Sequence, residues 1–240
     1  MNTRIKLSAR IAISGSFFKI VPYVAAMFFL LFTFSLLNAA LNYLFGATDK
    51  MILSLAAVIS IPVTVGLISP LKLQMQIKHL MLARGDKYCR YEMGISDMLK
   101  SCELSVRLFF IKLFWFAVFE AIPVLSGVIF LYHNYYNAVS IRAAYAVLTG
   151  VSALAVSGVC FYFVFIQRYS KSWFYLASYK DFSAGDAIKE SVRKTQNRCA
   201  AIFFFKLSFL PWFLLCIGFL PVLYVVPYYK QSVTCLFLSR

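Results

Sequence analysis

The sequence predicts an all-α, polytopic helical membrane protein of about six transmembrane segments, paired as three helical hairpins, with amphipathic helices on the cytoplasmic side. Three observations carry that expectation: long apolar runs, a one-sided distribution of basic residues, and an internal repeat. Of 240 residues, 62% are hydrophobic and only 14% charged, more apolar than the core of a soluble domain of this length requires. Charge-free runs cover Ile20–Thr48, Met51–Leu71, Ala143–Gln167 and Leu207–Tyr229. Each reaches the roughly 20 residues a helix needs to cross about 30 Å of hydrocarbon. Phe109–Tyr132 makes a further span, interrupted by Lys112 and Glu120. The first run is too long for a secretory h-region and no A-x-A-like site follows it, so it reads as a retained anchor.

The formal charge of +15 is distributed by topology. Eighteen of the 24 basic residues fall before the first span, between the second and third, or after the fourth, whereas the other two connections carry only Lys50 and Arg142. That asymmetry puts the N-terminus in the cytoplasm. It also assigns the basic excess to the anionic headgroups of a lipid bilayer and not to nucleic acid. The six cysteines avoid the outward connections and show no C-x-x-C spacing, which argues for reduced thiols and against a zinc site.

Self-similarity organises the chain. "FFKI" at Phe17–Ile20 returns as "FFIKL" at Phe109–Leu113 and "FFFKL" at Phe203–Leu207, placing Lys19, Lys112 and Lys206 at intervals of 93 and 94 residues. Gln74 and Gln167 are also 93 residues apart, as are Lys78 and Lys171. A single membrane domain over residues 1–240 thus divides into units of about 1–93, 94–186 and a truncated 187–240. In each unit a cytoplasmic amphipathic segment precedes a helix out and a helix back. In the second, Ile95, Met98, Leu99, Cys102 and Val106 share one helical face. In the third, Ser183 and Asp186 stand at capping-box spacing, so a helix starts near Ala184. Both segments are expected to lie along the inner leaflet, apolar face down.

The third hairpin is short. Its matching glutamine, Gln231, follows Lys206 by only 25 residues, and Pro211, Gly218, Pro221 and Pro227 suit a short or re-entrant hairpin. Both termini are then cytoplasmic; five spans with an external C-terminus is the alternative.

Among single residues, Glu120 falls near mid-bilayer, where an acidic group is either functional or a hydrogen-bonded helix contact. Asn38 and Asn42, one turn apart in the first span, are its candidate partners. Lys19, Lys112 and Lys206 read as interfacial anchors whose ammonium groups rise to the headgroups. His79 and His133 read as isolated interfacial residues, and the fourth span, with Ala146–Gly150 and Ala153–Ser157 at small-x-x-x-small spacing, is expected to pack closely on its neighbours. No nucleotide loop, metal cluster or nucleophile constellation occurs, so no cofactor and no catalysis are expected.

The segment Ala187–Ser191, the "LSFLPW" of Leu207–Trp212, Gly218 and the Pro227–Tyr228 pair, with "LARGD" at Leu82–Asp86, resemble the bacterial integral membrane proteins of the domain-of-unknown-function family nine-seven-five. The resemblance covers the second half of the chain best. It implies a bacterial membrane protein and brings no catalytic residues. The function expected from all this is a non-catalytic membrane scaffold or interaction protein with lipid-facing amphipathic helices; the alternative is a small-solute or ion transporter using Glu120.

Overall fold

The computed structural model describes residues 2–45, 50–85, 93–137, 141–214 and 219–239, in places by backbone alone. All elements among them are helical: α1 (Asn2–Ser14), α2 (Phe17–Phe45), α3 (Lys50–Arg84), α4 (Ile95–Asn137), α5 (Ile141–Phe165), a 3₁₀ turn (Ile166–Tyr169), α6 (Ser172–Ser178), α7 (Ala184–Thr195), α8 (Cys199–Leu207), α9 (Leu210–Leu214) and α10 (Phe219–Leu238). Among the described residues, two helical stretches, Ile95–His133 and Tyr145–Ser178, are long and apolar enough to cross a membrane, and a third qualifies if the bent pair Thr3–Ser14 and Phe17–Thr33 is one span.

Burial is uneven, and this positions everything that follows. The core collects at one end of the molecule, where Ile5, Ala9 and Ile13 of α1, Leu73, Ile77 and Leu80 of α3, Leu104 of α4, Phe205 of α8, Phe209, and Leu236 and Phe237 of α10 pack into one cluster. We call this end the base. Beyond it, α4 and α5 project as a pair whose large apolar side chains face outward, Phe110, Ile122, Ile129, Leu148 and Val156 among them. Phe205 at the end of α8 and Phe209 just after it are 1% and 0% exposed, so both belong to the buried core of the base.

The joins between elements follow local chemistry. α1 meets α2 at 93°, across a turn in which Ser16 N donates to the Ile13 carbonyl at 2.9 Å. Gly85 ends α3 with a positive φ of 79°, a conformation that glycine adopts without strain. Ser183 caps α7, its hydroxyl accepting from Asp186 N at 3.2 Å, where the capping-box spacing places the start.

Two expectations about the amphipathic segments are corrected. The stretch from Ile95 does not form a separate in-plane helix but runs unbroken into α4 over 43 residues, because its turns bury Asp97, Ser101, Leu104 and Leu108 against the base. Its predicted apolar face, from Ile95 to Val106, stays on the outside. α7 buries Ala184, Ala187, Ser191 and Thr195 against protein. The Ser191 hydroxyl donates to the Arg168 carbonyl at 2.7 Å and accepts from Lys171 N at 3.1 Å, so α7 is a bracket on the corner after α5. The helix that turns sharply from its neighbour is α1, at 93° to α2.

The small-residue stripe is also corrected. Ala146, Gly150, Ala153 and Ser157 are exposed, and Gly158 is the buried glycine of α5. A Cβ there would stand 3.0 Å from the Phe119 carbonyl oxygen and 3.0 Å from Glu120 Oε1.

Candidate anion site

At the edge of the base, where the outward-facing helices begin, a cavity of about 320 Å³ opens between α3, α4, α8, α10 and the turn after α5. Four lysines line it: Lys72, Lys112, Lys206 and Lys230. Their placement follows from the apolar runs. Lys72 directly follows Met51–Leu71, Lys112 sits at the start of Phe109–Tyr132, and Lys206 and Lys230 bracket Leu207–Tyr229. Helices packed side by side with runs ending at one level bring these lysines to one level too.

Lys206 is the best-fixed of the four. Its Nζ donates to Gln167 Oε1 at 2.7 Å. The Gln167 amide is oriented by its other half, Nε2 donating to the Phe163 carbonyl at 2.9 Å, so the oxygen must face the lysine. An ammonium carries three donors, which leaves two for a ligand. Behind this pair, Trp115 Nε1 donates to the Tyr169 hydroxyl at 3.0 Å and its ring lies 4.4 Å from that of Phe165, a rigid wall on the α4–α5 side.

Among the described residues, no carboxylate lines the cavity. The ion pairs among the described residues are Arg107–Glu103 and Arg193–Glu190, and neither glutamate lines the cavity. Lys206 and Lys230 lie just outside the apolar run they bracket. Burial, followed by repulsion from Lys230 and Lys112, lowers Lys206 from 10.5 to about 7. Burial, followed by repulsion from Lys72 and Lys112, lowers Lys230 to about 8. The four cations are thus electrostatic neighbours of each other, an arrangement that costs free energy and is relieved by an anion.

The remaining candidates are dispersed. Lys19 lines a second cavity, of about 380 Å³, with Lys78 at the α1–α2 bend. Glu120 lines neither cavity; its Oε1 is buried against Gly158 with no hydrogen-bond partner among the described residues. Asn38 and Asn42 lie in α2, and their side chains are outside the described residues. His133 is exposed near the far end of α4. His79 is not isolated: it is 0% exposed and Nδ1 lies 2.7 Å from Gln231 Oε1. Since an amide oxygen only accepts, Nδ1 carries the proton. Gln76 Nε2 donates to Thr234 Oγ1 at 3.1 Å, so two polar contacts fasten α10 to α3.

The repeat spacing singled out Lys112 and Lys206 but missed Lys72 and Lys230. The signal that finds all four is their position at the ends of apolar runs. No family model, curated protein or solved structure matches the chain, so the functional reading rests on this geometry.

Proposed function

We propose that the chain is a non-catalytic integral membrane protein, a scaffold that holds a helical base at the inner face of the cell membrane. Three hairpins enter the bilayer from that base and both termini remain cytoplasmic. The carrying observation is the contrast between the buried base and the apolar flanks of α4 and α5, where Phe110, Ile122 and Ile129 are exposed at 62%, 69% and 66%. Leaving such a side chain in water forgoes about 1.5–3 kcal/mol. A surface this continuous demands an apolar covering, and lipid supplies it along the full length of both helices. The basic residues concentrated at the base favour the side with anionic headgroups.

The carrier alternative needs Glu120 beside a water-reachable cavity. Its carboxyl oxygen lies against Gly158 and lines neither cavity, which favours a helix contact. Extraction of membranes with alkaline carbonate tests the proposal. The chain should remain in the pellet and require detergent for release; recovery in the aqueous supernatant would overturn the membrane reading.

A further inference from the structure

We propose that the four-lysine cavity binds a phosphate monoester or inorganic phosphate, gripped by Lys72, Lys112, Lys206 and Lys230. The inference deepens the scaffold reading and rests on it only for the source of the ligand. Four features converge. First, four lysines line one cavity of about 320 Å³ and neither acid of the described ion pairs does. A singly charged carboxylate would leave most of that excess in place, whereas a phosphate monoester carries about −1.5 to −2 and three strong acceptor oxygens.

Second, the donors are all lysines. Lysines are compact point charges with three donors each on flexible stems, so four of them can meet a tetrahedral phosphate from several directions. Third, the site is pre-arranged. Gln167 holds Lys206 by a 2.7 Å hydrogen bond and is itself held by the Phe163 carbonyl, so this lysine meets a ligand without first being ordered. Fourth, the cavity has an apolar side, built in part from Leu108, Phe174 and Phe237, and it lies where the apolar runs end. A phosphate at that level can belong to a lipid headgroup whose acyl chains follow the exposed flanks, or arrive free from the cytoplasm.

The arms of one experiment separate these sources. The full chain is reconstituted into nanodiscs of phosphatidylcholine, with or without a minor fraction of phosphatidic acid. Lipid that stays with the chain through detergent exchange is counted by native mass spectrometry. Inorganic phosphate is titrated against the phosphatidylcholine discs while Trp173, which lines the cavity, reports by fluorescence. The expected result is preferential retention of phosphatidic acid, a saturable phosphate response, or both. The variant Lys206→Gln/Lys230→Gln should weaken whichever signal appears by about tenfold or more. The same charge removed at the other cavity, Lys19→Gln/Lys78→Gln, should leave it within about twofold.

Lys72 is exposed, so Lys72→Gln should fold normally and weaken binding several-fold, which keeps the test decisive if the double variant fails to fold. Retention without a phosphate response identifies the headgroup as the source; a phosphate response without retention identifies free phosphate. Equal losses in both double variants, or no retention and no response from the folded wild type, would overturn the site. Co-elution with the discs is scored separately. A chain that stays out of them refutes the scaffold reading, and phosphate titration in detergent then still decides the site.

Discussion

Lys206 Nζ and Gln167 Oε1 are joined by a 2.7 Å hydrogen bond across 39 residues of chain. The bond ties α8 to the 3₁₀ turn that follows α5. The lysine that sequence alone presents as an anchor rising to the headgroups is therefore turned into the protein. It is held there by an uncharged partner, beside three more lysines. A neutral acceptor satisfies one proton and leaves the charge itself unneutralised.

That relationship predicts opposite effects from its two ends. Gln167→Leu removes the acceptor from a half-buried ammonium and the donor from the Phe163 carbonyl, and should cost about 1–3 kcal/mol. Lys206→Met keeps much of the stem's packing and removes one of four mutually repelling charges. Its melting temperature should rise by a few degrees, about 2–4 °C per kcal/mol for a chain of this size. Thermal melts in one detergent read both. A lower Tm for Lys206→Met would show that the lysine is there for stability and not for a ligand.

Acid should loosen the base through His79, which lies on α3 beyond the apolar run Met51–Leu71. Burial first, against the opposing bond to Gln231 and with Lys230 adding to it, lowers this imidazole from 6.5 to about 4. The folded state therefore binds fewer protons than the unfolded state between those values. Stability is fully present above about pH 6.5 and is lost as pH falls through 4, by about 3 kcal/mol in total. Lys206 and Lys230, also lowered, extend the same sign upward: stability should climb from about pH 7 toward 10.5. Denaturation midpoints across pH test both limbs. His79→Asn should flatten the acid limb alone; an unchanged acid slope would remove His79 from the account.

How far the sequence is legible depends on the range of the interaction. The Ser183 cap and the apolar runs are set by neighbours within a turn or two, and each reads directly from the chain. His79 looked isolated because its partner, Gln231, is 152 residues away. The tight contact in α5 looked like an Ala and Gly stripe because small-residue spacing marks several faces, and only the approach of α4 selects Gly158. The same holds for the continuity of α4: a stretch with polar residues on one side reads as a separate surface helix until the base that buries Ser101 and Leu104 is present. The lysine cavity was half visible, since a repeat marks equivalent positions and not the convergence of non-equivalent ones.

The α4–α5 contact predicts a sharp contrast between glycines. Gly158→Ala would place its methyl 3.0 Å from the Phe119 carbonyl oxygen, which the helix cannot easily move, and from Glu120 Oε1. It should cost about 1–3 kcal/mol by overpacking. Gly150 has nothing within 4 Å, so Gly150→Ala should be neutral or gain up to about 1 kcal/mol of helix propensity. Equal Tm values for the two variants would mean that α4 and α5 do not meet at Gly158.

The two ends of the chain should report from one side of the membrane. Ile5, Ala9 and Ile13 of α1 share a buried cluster with Leu236 and Phe237 of α10, and the Lys6 ammonium lies 4.4 Å from the Phe209 ring beside α10. Separating the termini across a bilayer would dismantle that cluster and strand its side chains in water, at about 1.5–3 kcal/mol for each large one. In a cysteine-free background, Ser14→Cys and Ser239→Cys place thiols at exposed positions of the two ends. With a membrane-impermeant maleimide, both should stay unlabelled in intact cells and react together once the inner face is opened. Labelling of Ser239→Cys alone from outside would favour five spans, and would require the C-terminal half of α10 to leave the base.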